Sequence, residues 1–156
     1  RCVGRDCAMT DSSRRVWLGS VAGLACSLAV APARATRDAM QAQIAAFTRG
    51  VAPRAGKVEL SLPEIVENGN SVPVTVRVAS PMTDQEHVRR IAVFTEKNPH
   101  PDVLEMVLGP RAGRAQVSFR MRMADSQQIS AVAELSDGSF WTATVDVVVA
   151  LAACLE

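Results

Sequence analysis

The sequence predicts an all-β fold, an immunoglobulin-like antiparallel β-sandwich with an N-terminal helix and a short C-terminal arm. The chain has seven short strand-like runs, and those at 58–62, 74–78 and 115–123 alternate between apolar and polar side chains, which is the period of a half-buried strand. Residues typical of turns separate these runs at regular spacing, and no helical pattern stands between them. Such spacing is typical of an antiparallel sandwich. The disulfide of antibody domains is missing, so we expect an aliphatic core.

A helix is expected over residues 36–47, before the strands begin. Met40, Ile44 and Phe47 fall at i, i+4 and i+7 and would share one apolar face. Asp38 could cap the N-terminus. Glycine commonly terminates helices in a left-handed conformation, so Arg49-Gly50 would end this one.

The predicted strands follow once the periodicity changes from 3.6 to 2 after Pro53-Arg54-Ala55-Gly56. Glu67-Asn68-Gly69-Asn70 is a second turn signal, because asparagine and glycine tolerate positive φ. Pro73 indicates an edge strand or a strand beginning, since proline cannot donate to the ladder. The seven runs cover residues 58–62, 74–78, 91–95, 103–108, 115–123, 129–135 and 140–149.

Residues 1–35 are expected to be a leader and a cleaved export signal. Arg14-Arg15 precedes an apolar run over residues 21–30, and a small-x-small site ends at Ala35. This order indicates a twin-arginine signal and hence a periplasmic protein, with Met9 as the natural start. The apolar run is shorter than the roughly 20 residues of a spanning helix. Lipidation at Cys26 is disfavoured, because more apolar signal follows it.

Charge and cysteine content describe the remaining domain, residues 36–156. It has 12 Lys or Arg and 14 Asp or Glu, a net charge of −2. This balance lacks the basic footprint of nucleic-acid-binding proteins. Cys154 is the only cysteine left in this domain. In an oxidising compartment a single cysteine indicates either a reactive group or an intermolecular disulfide.

Cys154 is the main candidate for chemistry. An ordinary thiol has a pKa of about 8.5 and is only a few per cent ionised near neutrality. Its sequence neighbours are alanine and leucine, which would not lower that pKa, and Glu156 would raise it slightly. We therefore interpret Cys154 as an attachment point that another protein activates. An incidental or dimer-forming cysteine is the alternative.

Other candidate residues are better explained as surface positions. His87 and His100 lie in separate predicted loops without the three or four ligands of a zinc site, so no metal is expected. No phosphate-binding glycine loop or nucleophile elbow occurs. Arg120 and Arg122, like Arg89-Arg90, are expected on solvated sheet faces. Alternation places one ring of Phe140-Trp141 outward, where it would suit an interface.

Several segments of the chain together carry a resemblance to a known family. In order, they are Leu62-Pro63-Glu64-Ile65-Val66-Glu67-Asn68-Gly69-Asn70-Ser71-Val72-Pro73, Ser80-Pro81-Met82-Thr83, Lys97-Asn98-Pro99, Arg120-Met121-Arg122 with Asp125-Ser126-Gln127, Ala131-Val132-Ala133-Glu134 and Asp137-Gly138-Ser139. With these segments the chain resembles the SoxY family, the sulfur-carrier subunits of the thiosulfate-oxidising Sox system. The resemblance extends from about Phe47 to Cys154.

The resemblance implies a role for the terminal cysteine and a set of partners. Cys154 would carry sulfur intermediates covalently, with no other cofactor, and the carrier itself would catalyse nothing. A SoxZ-like subunit would form the heterodimer. A haem enzyme would conjugate thiosulfate to the cysteine, a hydrolase would release sulfate, and a sulfane dehydrogenase would oxidise the remaining sulfur.

The C-terminal arm departs from the family pattern. The family's arm ends in GGCGG, whereas this arm reads Ala152-Ala153-Cys154-Leu155-Glu156. Glycine gives a flexible arm without side chains, while alanine is stiffer and leucine is bulky. The arm could therefore be a tolerated variant, a divergent carrier serving another enzyme, or a degenerate copy. The alternative function is an interaction module without thiosulfate chemistry, for example in a quinoprotein dehydrogenase system.

Overall fold

The structure, a computed structural model, describes residues 36–153 and shows one α-helix and nine strands in two sheets. The predicted signal, Cys154 and Leu155 lie outside these residues. The elements are α1 (Arg37–Phe47), β1 (Arg54–Ala55), β2 (Val58–Ser61), β3 (Ile65–Val66), β4 (Val72–Val78), β5 (Val88–Thr95), β6 (Asp102–Val107), a 3-10 turn (Pro110–Ala112), β7 (Gln116–Met121), β8 (Gln127–Leu135) and β9 (Phe140–Val149). Within this part of the chain, no helix has the length and hydropathy that a membrane crossing needs.

The larger sheet has the order β1-β9-β8-β5-β6, and the smaller sheet has the order β2-β4-β7. The seven predicted runs are all strands, and their mutual pairings are antiparallel. Two further strands were not predicted. β1 and β3 each have two residues, and both pair with β9 in parallel, β1 at Trp141 and β3 at Val148. The antiparallel prediction is therefore wrong along this edge of β9, because strands this short carry no period-two signal.

The main core fills the space between the two sheets and is aliphatic, as predicted. Its fully buried side chains are Val72, Val74, Val76, Val88, Ile91, Val93, Met123, Ile129, Ala131, Ala133 and Leu135. Pro73 lies in β4, the middle strand of the smaller sheet, so the edge-strand alternative is wrong. Pro73 is nevertheless the second residue of that strand, and there β4 pairs with β7 alone.

A second, smaller core joins α1 to the outer face of the larger sheet. Met40, Ile44 and Phe47 form the buried face of the helix, as their spacing predicted. They pack against Ala92, Phe94, Val132 and Phe140. The prediction that Asp38 caps the helix is wrong: the Thr36 side chain accepts the hydrogen bond from Ala39 N at 3.2 Å.

Because both faces of β9 are covered at its start, Trp141 does not point into solvent. Phe140 is buried beneath α1, and Trp141 packs, half-buried, against the main core on the opposite face. The indole Nε1 donates to Ser139 Oγ at 3.0 Å, and Lys57 Nζ lies 5.3 Å from the ring centroid. The interface prediction for the outward ring is therefore wrong, since alternation produces an exposed ring only where one face of the sheet is free.

A buried carboxylate joins the helix end to the larger sheet. Glu134 is 2% exposed and accepts a hydrogen bond from Arg90 Nε at 2.7 Å, with Arg49 at 3.4 Å. Arg90 also contacts Glu105 at 2.9 Å and stacks on Phe47, its guanidinium carbon 4.4 Å from the ring centroid. Burial disfavours the charge of Arg90, but the hydrogen bonds and charges of Glu134 and Glu105 outweigh it and raise the Arg90 pKa. The solvated-face prediction is therefore wrong for Arg90.

Candidate functional site

The C-terminal arm leaves β9 and stays attached to the domain as far as the structure describes it. Leu151 and Ala152 are exposed, whereas Ala153 is only 7% exposed. Cys154 and Leu155, the predicted attachment point and its neighbour, lie outside the described residues. The site can therefore be built from the residues that hold the chain immediately before the cysteine.

Three hydrogen bonds between backbone groups hold the arm. Gly69 N donates to Leu151 O at 2.8 Å, Met123 N donates to Gly69 O at 2.9 Å, and Ala153 N donates to Met123 O at 2.9 Å. We call Gly69, Met123, Leu151 and Ala153 the arm clasp. The clasp joins three distant parts of the chain without any side-chain hydrogen bond. It therefore holds the chain one residue before Cys154.

The clasp requires a glycine at position 69, because backbone atoms of the loop and the arm pass too close to it for a side chain. A Cβ atom at this position would lie 2.6 Å from Met123 O, 3.0 Å from Ala153 N and 3.2 Å from Leu151 O. All three atoms are backbone atoms that are fixed by the clasp hydrogen bonds. Positive φ, the reason the sequence analysis gave for this turn, does not apply to Gly69. The residue fits because it has no side chain.

The arm clasp follows directly on two backbone hydrogen bonds that join the end of β9 to the segment around β3. Val148 N donates to Glu64 O at 2.9 Å, and Ala150 N donates to Val66 O at 2.8 Å. Ser126 supports the same segment from the other side, because its Oγ accepts from Val149 N at 2.9 Å. The arm is therefore anchored from residue 148 to residue 153.

The loop that carries Met123 is held by a buried asparagine. Asn98 Nδ2 donates to Arg122 O at 2.9 Å, and Asn98 Oδ1 accepts from Ala124 N at 3.0 Å and from Gln127 Nε2 at 2.9 Å. These bonds bind the backbone on both sides of Met123. Asn98 thus positions the clasp without touching the arm.

An ion pair lies on the exposed side of the same loop. Lys97 Nζ is 2.9 Å from Asp125 Oδ2. The hydrogen bond from Lys97, followed by that from Ser126 N, lowers the pKa of Asp125. The carboxylate is therefore ionised at neutral pH, where Lys97 pairs with it.

Replacing Asn98 with alanine should destabilise the domain and loosen the clasp. The substitution leaves buried backbone groups of the loop without their partner, which costs about 1–3 kcal/mol. Urea unfolding of Asn98→Ala would measure this loss. The exposed Asn70, which bonds only to the Asn68 side chain through its amide, supplies the control. Asn70→Ala should change the free energy of unfolding by less than about 0.5 kcal/mol. Equal stability of the two variants would contradict this role of Asn98.

The other candidate residues do not join the arm clasp. His87 is half-buried with Nδ1 3.1 Å from Thr83 O, and His100 is exposed. Residues 36–153 contain no group of three or more side chains that could hold a metal ion. Arg120 and Arg122 are exposed, as predicted.

The clasp was not predicted from the sequence, although some of the residues that form or support it lie in segments that resemble the SoxY family. Gly69 lies in the turn 67–70, Asn98 in Lys97-Asn98-Pro99, and Ser126 directly follows the Met123 loop. The available signal was a glycine in a turn and a short polar motif. Neither indicates that the two segments meet beside the C-terminal arm.

Comparisons with known proteins agree with this architecture. The chain matches the family described as sulfur oxidation protein SoxY over residues 44–154. It is 33% identical to the sulfur carrier protein SoxY from Chlorobium limicola f thiosulfatophilum, covering 70% of this chain and 94% of that protein with a TM-score of 0.59. No curated protein sequence matches the chain.

Two more distant structures share the fold alone. A superoxide reductase (neelaredoxin) from Ignicoccus hospitalis is 17% identical, with a TM-score of 0.55 over 74% of this chain and 94% of that one. A putative superoxide reductase from Thermotoga maritima is 20% identical, with a TM-score of 0.52 over 66% of this chain and 89% of that one. The family match, which includes the clasp and extends to Cys154, is far more specific. The chain therefore belongs to the SoxY family of sulfur oxidation proteins.

Proposed function

We propose that this protein is a sulfur carrier of thiosulfate oxidation, which holds sulfur intermediates covalently on Cys154. The observation that carries the proposal is the arm clasp. Its residues lie within the stretch that matches the SoxY family model, residues 44–154, and it holds the backbone one residue before the cysteine. A domain that positions a thiol but places no base beside it in sequence is suited to presenting that thiol to other enzymes.

Loading would form a bond between Cys154 Sγ and the outer sulfur of thiosulfate. The thiol releases its proton to solvent, and two electrons pass to the haem conjugating enzyme, which is the oxidant. A hydrolase then uses water to cleave the bond to the sulfonate group. Sulfate and two protons leave, and a persulfide remains on the cysteine. A sulfane dehydrogenase takes electrons from that remaining sulfur while water supplies the oxygen.

The rest of the proposal follows the same family. The carrier works in the periplasm after export by its twin-arginine signal, forms a heterodimer with a SoxZ-like subunit, and needs no cofactor besides the sulfur it carries. Its two sheets with α1 fit an immunoglobulin-like sandwich preceded by a helix.

The alanines of the arm are compatible with a working carrier. Ala153 is buried, so its methyl group lies in the domain surface and does not obstruct an approaching enzyme. Its amide is also the donor that completes the arm clasp. Both features favour a tolerated variant of the GGCGG arm over a degenerate copy.

Incubation with thiosulfate and the haem conjugating enzyme should add a thiosulfonate group to the peptide that contains Cys154. Mass spectrometry of that peptide would measure the adduct, which a reductant should remove. Cys154→Ser should abolish the adduct completely, because the hydroxyl cannot form the sulfur–sulfur bond. A wild-type protein that stays unmodified, while a carrier with the GGCGG arm is loaded, would refute the function. A phenotype unchanged by Cys154→Ser would favour the interaction module.

A further inference from the structure

Exposed apolar side chains are concentrated beside the arm clasp. Ile65 and Val148 are register partners on β3 and β9 and are 72% and 58% exposed. Leu151, three residues farther along, is 61% exposed. We call these three residues the apolar patch. In the described part of the chain, the only other exposed large hydrophobic side chains are Val51 and Val107.

The patch is held close to the last residue before Cys154. The carbonyl of Leu151 accepts a clasp hydrogen bond, and Ala153 is fixed to Met123. Ala153 is only 7% exposed, so the chain immediately before Cys154 lies against the domain. An enzyme that encloses Cys154 without opening the clasp must therefore cover Leu151 and the surface next to it.

The charged residues that flank the patch along β3 and β9 have one sign. Glu64, Glu67 and Asp146 are all exposed. An apolar centre with a charged rim is the arrangement of a protein–protein interface, and its partner carries the complementary rim. The surface that fits this patch is therefore apolar with basic groups around it.

We propose that the apolar patch is the docking surface for the enzyme that loads sulfur onto Cys154. This docking proposal rests on the carrier function proposed above, and it specifies the surface of the carrier to which the loading enzyme binds. The enzyme approaches the fixed arm from the β3–β9 edge, contacts Ile65 and Val148 through an apolar surface, and receives the cysteine at an active-site entrance next to Leu151.

The test compares two near-isosteric variants that place hydroxyl groups on opposite edges of the larger sheet. Ile65→Thr/Val148→Thr changes the patch and retains β-branched side chains. Val107→Thr is the control, because Val107 is 74% exposed on β6 at the opposite edge. The full protein is loaded with thiosulfate by the haem conjugating enzyme, and Cys154 is separately alkylated with iodoacetamide, which needs no docking.

The double variant should lower kcat/KM for loading at least tenfold, mainly through KM, because a tenfold loss corresponds to about 1.4 kcal/mol of binding. Alkylation should proceed as in the wild type, and Val107→Thr should load normally. Normal loading of the double variant would overturn the docking proposal and leave the carrier function intact. Slower alkylation would overturn it too, because the arm itself would then be altered. A wild-type protein that is not loaded would refute both.

Discussion

Replacing Gly69 with alanine is expected to detach residues 151–153 from the domain. The added methyl group would lie 2.6 Å from Met123 O, and it would also crowd Ala153 N and Leu151 O. Real Cβ atoms do not approach backbone atoms this closely, so the chain must move. Two of the three clasp hydrogen bonds use the crowded atoms, Gly69 N to Leu151 O and Ala153 N to Met123 O, and the third is accepted by the carbonyl of the substituted residue itself. We expect them to break together, at a cost of about 1–3 kcal/mol.

Amide hydrogen exchange would measure this detachment directly. The amides of Gly69, Met123 and Ala153 donate the clasp bonds, so their exchange should accelerate at least tenfold in Gly69→Ala. Amides of β5 and β8 lie inside the larger sheet, away from the clasp. Their exchange should change only as much as the free energy of global unfolding changes.

Gly109→Ala is the matched control for this substitution. A Cβ atom at Gly109 meets nothing within 4 Å, and the residue has an extended backbone with φ of −142°. Alanine should therefore be tolerated there and change the free energy of unfolding by less than about 0.5 kcal/mol. If Gly69→Ala exchanges like Gly109→Ala, the close approach does not hold the arm and the clasp is not its anchor.

Replacing Arg90 with methionine is expected to destabilise the domain by about 3 kcal/mol. Methionine retains apolar contact with Phe47 but removes the nearest positive charge from Glu134, which is 2% exposed. A buried carboxylate that loses its partner costs about 3–5 kcal/mol. Arg49 at 3.4 Å remains and places the expected loss at the lower end of that range. Chemical denaturation would measure it.

Two controls show whether the loss of stability comes from the ion pair between Arg90 and Glu134. One is a substitution of the neighbouring Arg89, and the other is a double substitution. Arg89 is exposed and forms no ion pair in the described structure, so Arg89→Met should cost less than about 0.5 kcal/mol. Glu134→Gln in the Arg90→Met background should recover part of the loss, because a neutral amide needs no counter-charge. Additive effects of the two substitutions would contradict direct coupling between these residues.

Much of the fold follows from patterns that a single sequence displays. Period-two alternation located β2, β4 and β7, and turn residues delimited the other four longer strands. The helix face followed from the i, i+4 and i+7 spacing of Met40, Ile44 and Phe47. These signals exist because each such element buries one face, and burial selects apolar residues at that period. The quoted motifs also identified the family, which comparison confirmed.

The local sequence of a strand does not show how much of that strand's surface the other elements of the fold cover. Alternation predicts that one ring of Phe140-Trp141 points into solvent, yet α1 and the smaller sheet cover both faces of β9 at its start. Arg90 was assigned to solvent because an arginine pair before a strand is usually exposed. Its partner Glu134 lies 44 positions away in the chain, and only strand pairing brings the two together.

Residue patterns and motifs identify this protein as a two-sheeted β domain of the SoxY family with one cysteine after its predicted export signal. How the chain before that cysteine is held becomes visible in the folded domain alone. Gly69, Met123 and Ala153 are joined by backbone groups, and every residue type has such groups. Bonds of this kind leave no pattern in the side chains, apart from one glycine where a methyl group would not fit.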